Sequence, residues 1–127
     1  MQNLRSLLSP AQSLSLGFAF LVTALLSQSA GAAIYTVEVG PEFAFQPAQL
    51  TVAPGDTVVW EWSGIGVHTV TSGTGPLDPS SGVEFDSGAG PVAAPFTFSH
   101  TFNSTGTFDY YCEPHRGAGM VSKVIVE

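Results

Sequence analysis

From Ile34 to the C-terminus, apolar and polar residues alternate in short runs punctuated by glycine and proline, the pattern of β-strands with one buried face. Ile34-Tyr35-Thr36-Val37-Glu38-Val39 is the first run, closed by Gly40-Pro41. Gln49-Leu50-Thr51-Val52 alternates again and ends in Ala53-Pro54-Gly55-Asp56, with Pro and Gly where a turn favours them. Thr57-Val58-Val59-Trp60-Glu61-Trp62 is rich in β-branched and aromatic residues, and it sets Val58, Trp60 and Trp62 on one face as core. The turn Ser63-Gly64-Ile65-Gly66 leads into Val67-His68-Thr69-Val70-Thr71. Phe96, Phe98, His100 and Phe102 line one face of a later strand. In Thr107-Phe108-Asp109-Tyr110-Tyr111-Cys112, an inward Cys112 predicts an outward Tyr111. Val121-Ser122-Lys123-Val124-Ile125-Val126 closes the series. From Ser72 to Pro95, Gly, Pro and Ser dominate, broken by Val83-Glu84-Phe85-Asp86, which predicts a long, poorly ordered surface loop with one short strand or turn inside it. No helical period of useful length appears after residue 33. The expected fold class is all-β, a Greek-key β-sandwich of about seven to eight strands.

Residues 1–32 follow another pattern. Arg5 is the only charge before Glu38, and an apolar run extends from Leu14 to Leu26. The positive start, the 13-residue apolar core and the Ala-x-Ala site at Ala30-Gly31-Ala32 predict a secretory signal peptide. Cleavage is expected after Ala32 or Ala33, leaving one domain over 33–127. The apolar run is short for the ~30 Å hydrocarbon core of a bilayer, so no membrane span is expected in the mature chain. Such a protein is exported, to the periplasm or the outer face of the cytoplasmic membrane.

Composition narrows the partners. With 44% hydrophobic and 10% charged residues, the chain is too apolar for disorder. The mature part sets ten acidic residues against Arg116 and Lys123, a formal charge of −8, which opposes nucleic acid and anionic lipid. A monomer is expected. The one cysteine excludes an intramolecular disulfide and asks for another explanation of an exported thiol.

That explanation lies in Tyr110-Tyr111-Cys112-Glu113-Pro114-His115-Arg116-Gly117-Ala118-Gly119-Met120. It holds the only cysteine, one of three histidines and one of two methionines. A thiolate and imidazoles give short, strong bonds in a trigonal arrangement, and a thioether adds a weak axial contact, a set that suits copper. Zinc prefers a fourth firm ligand, for which a lone Met is a poor substitute. Taken singly, Cys112 also fits an inert buried thiol and His68 a turn histidine. His100, alone on an aromatic strand, reads as structural. Asp78, Glu84, Asp86 and Glu113 read as a solvated surface or as charges that steer a basic partner.

The Cys112-x2-His115-x4-Met120 loop, with Pro114 before the histidine, closely resembles the copper loop of the plastocyanins and related small blue copper proteins, the cupredoxins. Phe45 to Trp62 is similar to the same family, most of all to its halocyanin branch. The resemblance implies a cupredoxin-like sandwich, one type 1 copper per chain, and His68, Cys112, His115 and Met120 as its ligands. It also implies an electron carrier, not an enzyme, working between a redox protein donor and acceptor. The matching tyrosine of plastocyanin-like proteins offers a route from the cysteine to the surface, here at Tyr111. The expected contact surface surrounds His115, near Ile65 and Gly117-Ala118. Copper oxidases and nitrite reductases need more histidines than three, and copper chaperones bind through exposed Met or His clusters that this chain lacks. One departure stands out: Thr69 occupies the place where the family usually has Asn, whose side chain ties the two copper loops together.

Pro114 has no N–H to donate toward the Cys112 sulfur. A thiolate with fewer hydrogen bonds is more electron-donating and favours Cu(II). Replacing Pro114 with Ala is therefore expected to raise the reduction potential measured by voltammetry, and an unchanged potential would refute this account.

Overall fold

The computed structural model describes residues 31–88 and 90–127, so the expected signal segment up to Ala30 lies outside the described residues. The described chain forms ten strands: β1 (Ile34–Val39), β2 (Phe45–Gln46), β3 (Gln49–Val52), β4 (Thr57–Trp62), β5 (Val67–His68), β6 (Thr71–Ser72), β7 (Val92–Ala93), β8 (Thr97–Thr101), β9 (Gly106–Tyr111) and β10 (Val121–Val126). Six of them fall where the alternation places them. The two-residue strands β2 and β7 are too short to show a period. Short 3₁₀ turns cover Pro41–Phe43 and Arg116–Ala118.

One sheet has the order β2-β1-β4-β8 and the other β3-β10-β9-β6, with a small ribbon of β5 and β7 beside them. Strands β1 and β4 run parallel, as do β3 and β10, whereas β9 and β10 are antiparallel neighbours. That last pairing fixes the site. The loop from Cys112 to Met120 joins two strands already locked in register, with Val121 opposite Tyr111.

The inward faces of the sheets meet in an aromatic core. Trp60 is fully buried, stacked on Phe85 at 5.3 Å and Phe98 at 5.6 Å, with Tyr110 edge-on at 5.5 Å. Such offset and edge-on contacts add to the area they bury. Val58 and Trp62 share that face and are also buried, as the alternation requires. Asp56 anchors the opposite end of the barrel-like stack. Its carboxylate accepts the N–H groups of Ala33 and Ala53, each at 2.8 Å, which hold its pKa below the usual carboxylate range.

Two expectations need correction. Residues 73–88 are the expected surface loop with turns inside it, but they are pinned rather than loose. Phe85 plunges into the core, and the Ser72 hydroxyl accepts the N–H groups of Glu84 and Phe85, each at 3.2 Å. Asp78 accepts from the N–H groups of Thr74 and Ser80, and Thr71 bridges Asp86. Side chains supply the backbone partners that a regular strand would have supplied. Tyr111 is the second correction. It is 1% exposed rather than outward in solvent, because this folded segment covers it and Ser81 meets its hydroxyl at 2.6 Å. Alternation settles which side of a sheet a residue faces, but not whether that side is covered.

His100 behaves as a structural residue, packed between Phe85 at 5.1 Å and Phe102 at 4.7 Å, with Glu84 at 3.6 Å. Because Phe85 is the one deep anchor of the 72–88 segment, Phe85→Ala is expected to cost about 3–5 kcal/mol in urea unfolding and to open Tyr111 to nitration. An effect under about 1 kcal/mol would show that the polar staples alone hold the segment.

Candidate metal centre

His68 ends β5 and Cys112 follows β9, so the sheet scaffold delivers both to one end of the molecule. His115 lies three residues on, in a tight turn where its N–H reaches the Cys112 carbonyl at 3.2 Å. The side-chain donors of His68, Cys112 and His115 all lie within 4.8 Å of one another. The Cys112 sulfur is 3.7 Å from His68 Nδ1 and 3.5 Å from His115 Nδ1. Met120 is 1% exposed; its N–H reaches the His115 carbonyl, and its own carbonyl accepts the Cys112 N–H at 3.1 Å.

The tautomer of His68 follows from its partner. Its Nε2 lies 3.2 Å from the Ile65 carbonyl, and a carbonyl only accepts, so Nε2 carries the proton. Nδ1 is left as a lone pair aimed toward the sulfur, the arrangement of a metal-binding imidazole oriented by its other nitrogen.

Electrostatics agree. Burial pushes the Cys112 thiol above its usual pKa; the N–H groups of Thr69 and His115 and the Thr69 hydroxyl pull it back, while the Glu113 charge adds to the rise. Burial also lowers His68, against the pull of the Ile65 carbonyl, and the His115 charge lowers it further. Three soft or borderline donors thus converge where neither a thiolate nor an imidazolium is comfortable alone. A soft cation between them resolves both difficulties.

Thr69 performs the tie that its position in the sequence put in question. Buried at 1% exposure, its Oγ1 accepts the Glu113 N–H at 2.8 Å and lies 3.2 Å from the Thr71 hydroxyl. Those two contacts use its lone pairs and leave its own proton to face the sulfur. The loop bearing His68 and the loop bearing Cys112 are thereby joined.

Against His68, Gly40 and Gly64 bring two backbones together so closely that a Cβ on Gly64 would clash with the Gly40 carbonyl carbon. The turn that follows holds Glu42 and Phe43 at φ of 52° and 56°, left-handed values that cost of order 1–3 kcal/mol per non-glycine residue. It sets the Phe43 ring 4.7 Å from the His115 ring. Sequence reasoning missed Phe43; the only available signal was an apolar residue following Pro41-Glu42 in a turn.

The chain matches the model of the copper binding proteins of the plastocyanin/azurin family over residues 32–127. It belongs to that family. It is 45% identical to a halocyanin of Natronomonas pharaonis over 86 residues, which cover 67% of this chain and 49% of that relative. The chain therefore spans about half of that halocyanin's length. It is 36% identical to a plastocyanin of a Synechococcus strain over 119 residues, covering 89% and 88% of the two chains. A mutant plastocyanin of fern superposes with a TM-score of 0.58 at 25% identity, over 72% of this chain and 99% of that one. The cupredoxin fold, the copper cofactor and the role of electron carrier rather than enzyme, all expected from the sequence, stand with the family and with the converging donors.

Thr69→Val keeps the shape and removes the hydroxyl, leaving the Glu113 N–H without its partner. Unfolding of the metal-free protein should then become easier by about 1–3 kcal/mol, whereas Thr69→Ser should recover most of the loss. Equal stability of all three proteins in urea would mean that the loops are joined by something else.

Proposed function

We propose that His68, Cys112, His115 and Met120 together hold the copper of this cupredoxin, and that single electrons enter and leave through the side where His115 approaches the surface. The observation that carries this reading is the aim of two imidazole Nδ1 atoms at one buried sulfur, with His68 Nε2 already tied to the Ile65 carbonyl. Copper held by these residues would supply the redox chemistry, gaining and losing one electron.

The chain's own residues do the rest. Cys112 provides the electron-rich ligand, and the Thr69 tie keeps its loop against that of His68. Met120, buried and bonded through its main chain to Cys112 and His115, would offer only a weak fourth ligand, which disfavours zinc. Burial keeps water from the donors, so the surroundings need little rearrangement when charge changes.

His115 is half-buried, while Ile65 is 93% exposed and Phe43 52% exposed. Gly117 and Ala118 adjoin this small face, which is apolar at its centre and has the exposed charges of Glu42 and Arg116 at its rim. Such a face suits the brief, small contacts of redox encounters. The partners are redox proteins, a donor and an acceptor, met by a monomeric carrier outside the cytoplasm. Removal of residues 1–32 as a signal peptide would deliver domain 33–127 to the periplasm or the outer face of the cytoplasmic membrane. No helix among the described residues is long and apolar enough to cross a membrane.

Adding Cu(II) to the protein is expected to give an intense blue thiolate-to-copper band that is lost in Cys112→Ser; a colourless complex would sink the ligand assignment. Ile65→Lys is expected to keep that band and slow electron exchange between two copies at least several-fold. An unchanged exchange rate would move the electron port elsewhere.

A further inference from the structure

The first described residues bear on where the chain is cut. Ala33 is half-buried, its carbonyl accepts the Thr57 N–H at 2.9 Å, and its own N–H donates to Asp56 Oδ1 at 2.8 Å. Asp56 is 5% exposed, and its other oxygen is taken by the Ala53 N–H. Among the described residues its carboxylate has no ion-pair partner within 4.0 Å. Gly31 and Ala32, one step before, are exposed. The fold therefore begins at Ala33, with a negative charge already fixed against its nitrogen.

We propose that the exported chain is cut between Ala32 and Ala33, and that the new α-ammonium of Ala33 becomes the ion-pair partner of buried Asp56. This rests on the reading of residues 1–32 as an export signal. Water adds across the Ala32–Ala33 peptide bond, leaving a carboxylate on Ala32 and an ammonium on Ala33, and the peptidase that serves exported chains supplies the catalysis. The fold then decides what the new terminus meets.

A cut after Ala33 has a different result. It removes both the donor to Asp56 Oδ1 and the acceptor of the Thr57 N–H, and it places an ammonium on Ile34 at the start of β1. A cut after Ala32 preserves both contacts and adds a positive charge to the donor, so a hydrogen bond already assisted by the Asp56 carboxylate becomes an ion pair. The Ala-x-Ala pattern at Ala30-Gly31-Ala32 agrees with that choice. Processing then does more than release the protein: the mature domain is held more firmly than the same domain with its leader attached.

The test uses the full chain, exported from a bacterial host and recovered from the periplasm. Intact mass is expected to show one species beginning at Ala33. A species beginning at Ile34 overturns the proposal while leaving the export reading in place, and an uncut chain overturns both. The recovered protein is then acetylated selectively on its α-amine at mildly acidic pH, which keeps the N–H and removes the charge. Acetylation is expected to raise the unfolding constant roughly five- to tenfold, and by less than about twofold in Asp56→Asn. No change on acetylation, or an equal change in both proteins, would show that the ammonium and Asp56 are not paired.

Discussion

Two side chains from points 44 residues apart have to meet within 3.7 Å at this site. The Thr69 hydroxyl answers that demand. It stands on the loop of one ligand and accepts the main-chain N–H next to the other, so the two loops form one body. The antiparallel register of β9 and β10 closes the third side by fixing both ends of the Cys112–Met120 loop. Everything else in the domain, from the aromatic stack around Trp60 to the staples of residues 72–88, keeps these two supports in place.

Burial creates the second condition. Away from water both a thiolate and an imidazolium are costly, and the shifts of Cys112 and His68 both run in that direction. A pocket of this kind has little use for protons and a strong use for a soft cation. The hydrogen bonds that reach the sulfur temper its basicity without satisfying it. Affinity and electron-donating power are therefore set by the same few contacts.

Much of this was legible in the chain. Alternation marked the six longer strands, and the spacing of Cys112, His115 and Met120 marked the candidate metal loop, because donors that share one tight turn must be close in sequence. His68 was found through its resemblance to a family pattern, since nothing local distinguishes a ligand from a turn histidine. What escaped was decided by long-range packing. The cover over Tyr111 depends on Phe85 finding the core, and the use of Thr69 depends on a backbone N–H that lies 44 residues away. Phe43 beside His115 depends on a left-handed turn that no glycine announces.

The contact of Gly40 with Gly64 gives the site one wall made only of main chain. Such a wall has no rotamers, so it neither breathes by side-chain motion nor changes thickness by substitution. A change of side chain at the exposed rim, at Phe43 or Ile65, leaves that main-chain wall where it is. The recognition surface can drift while the ligand cage stays still.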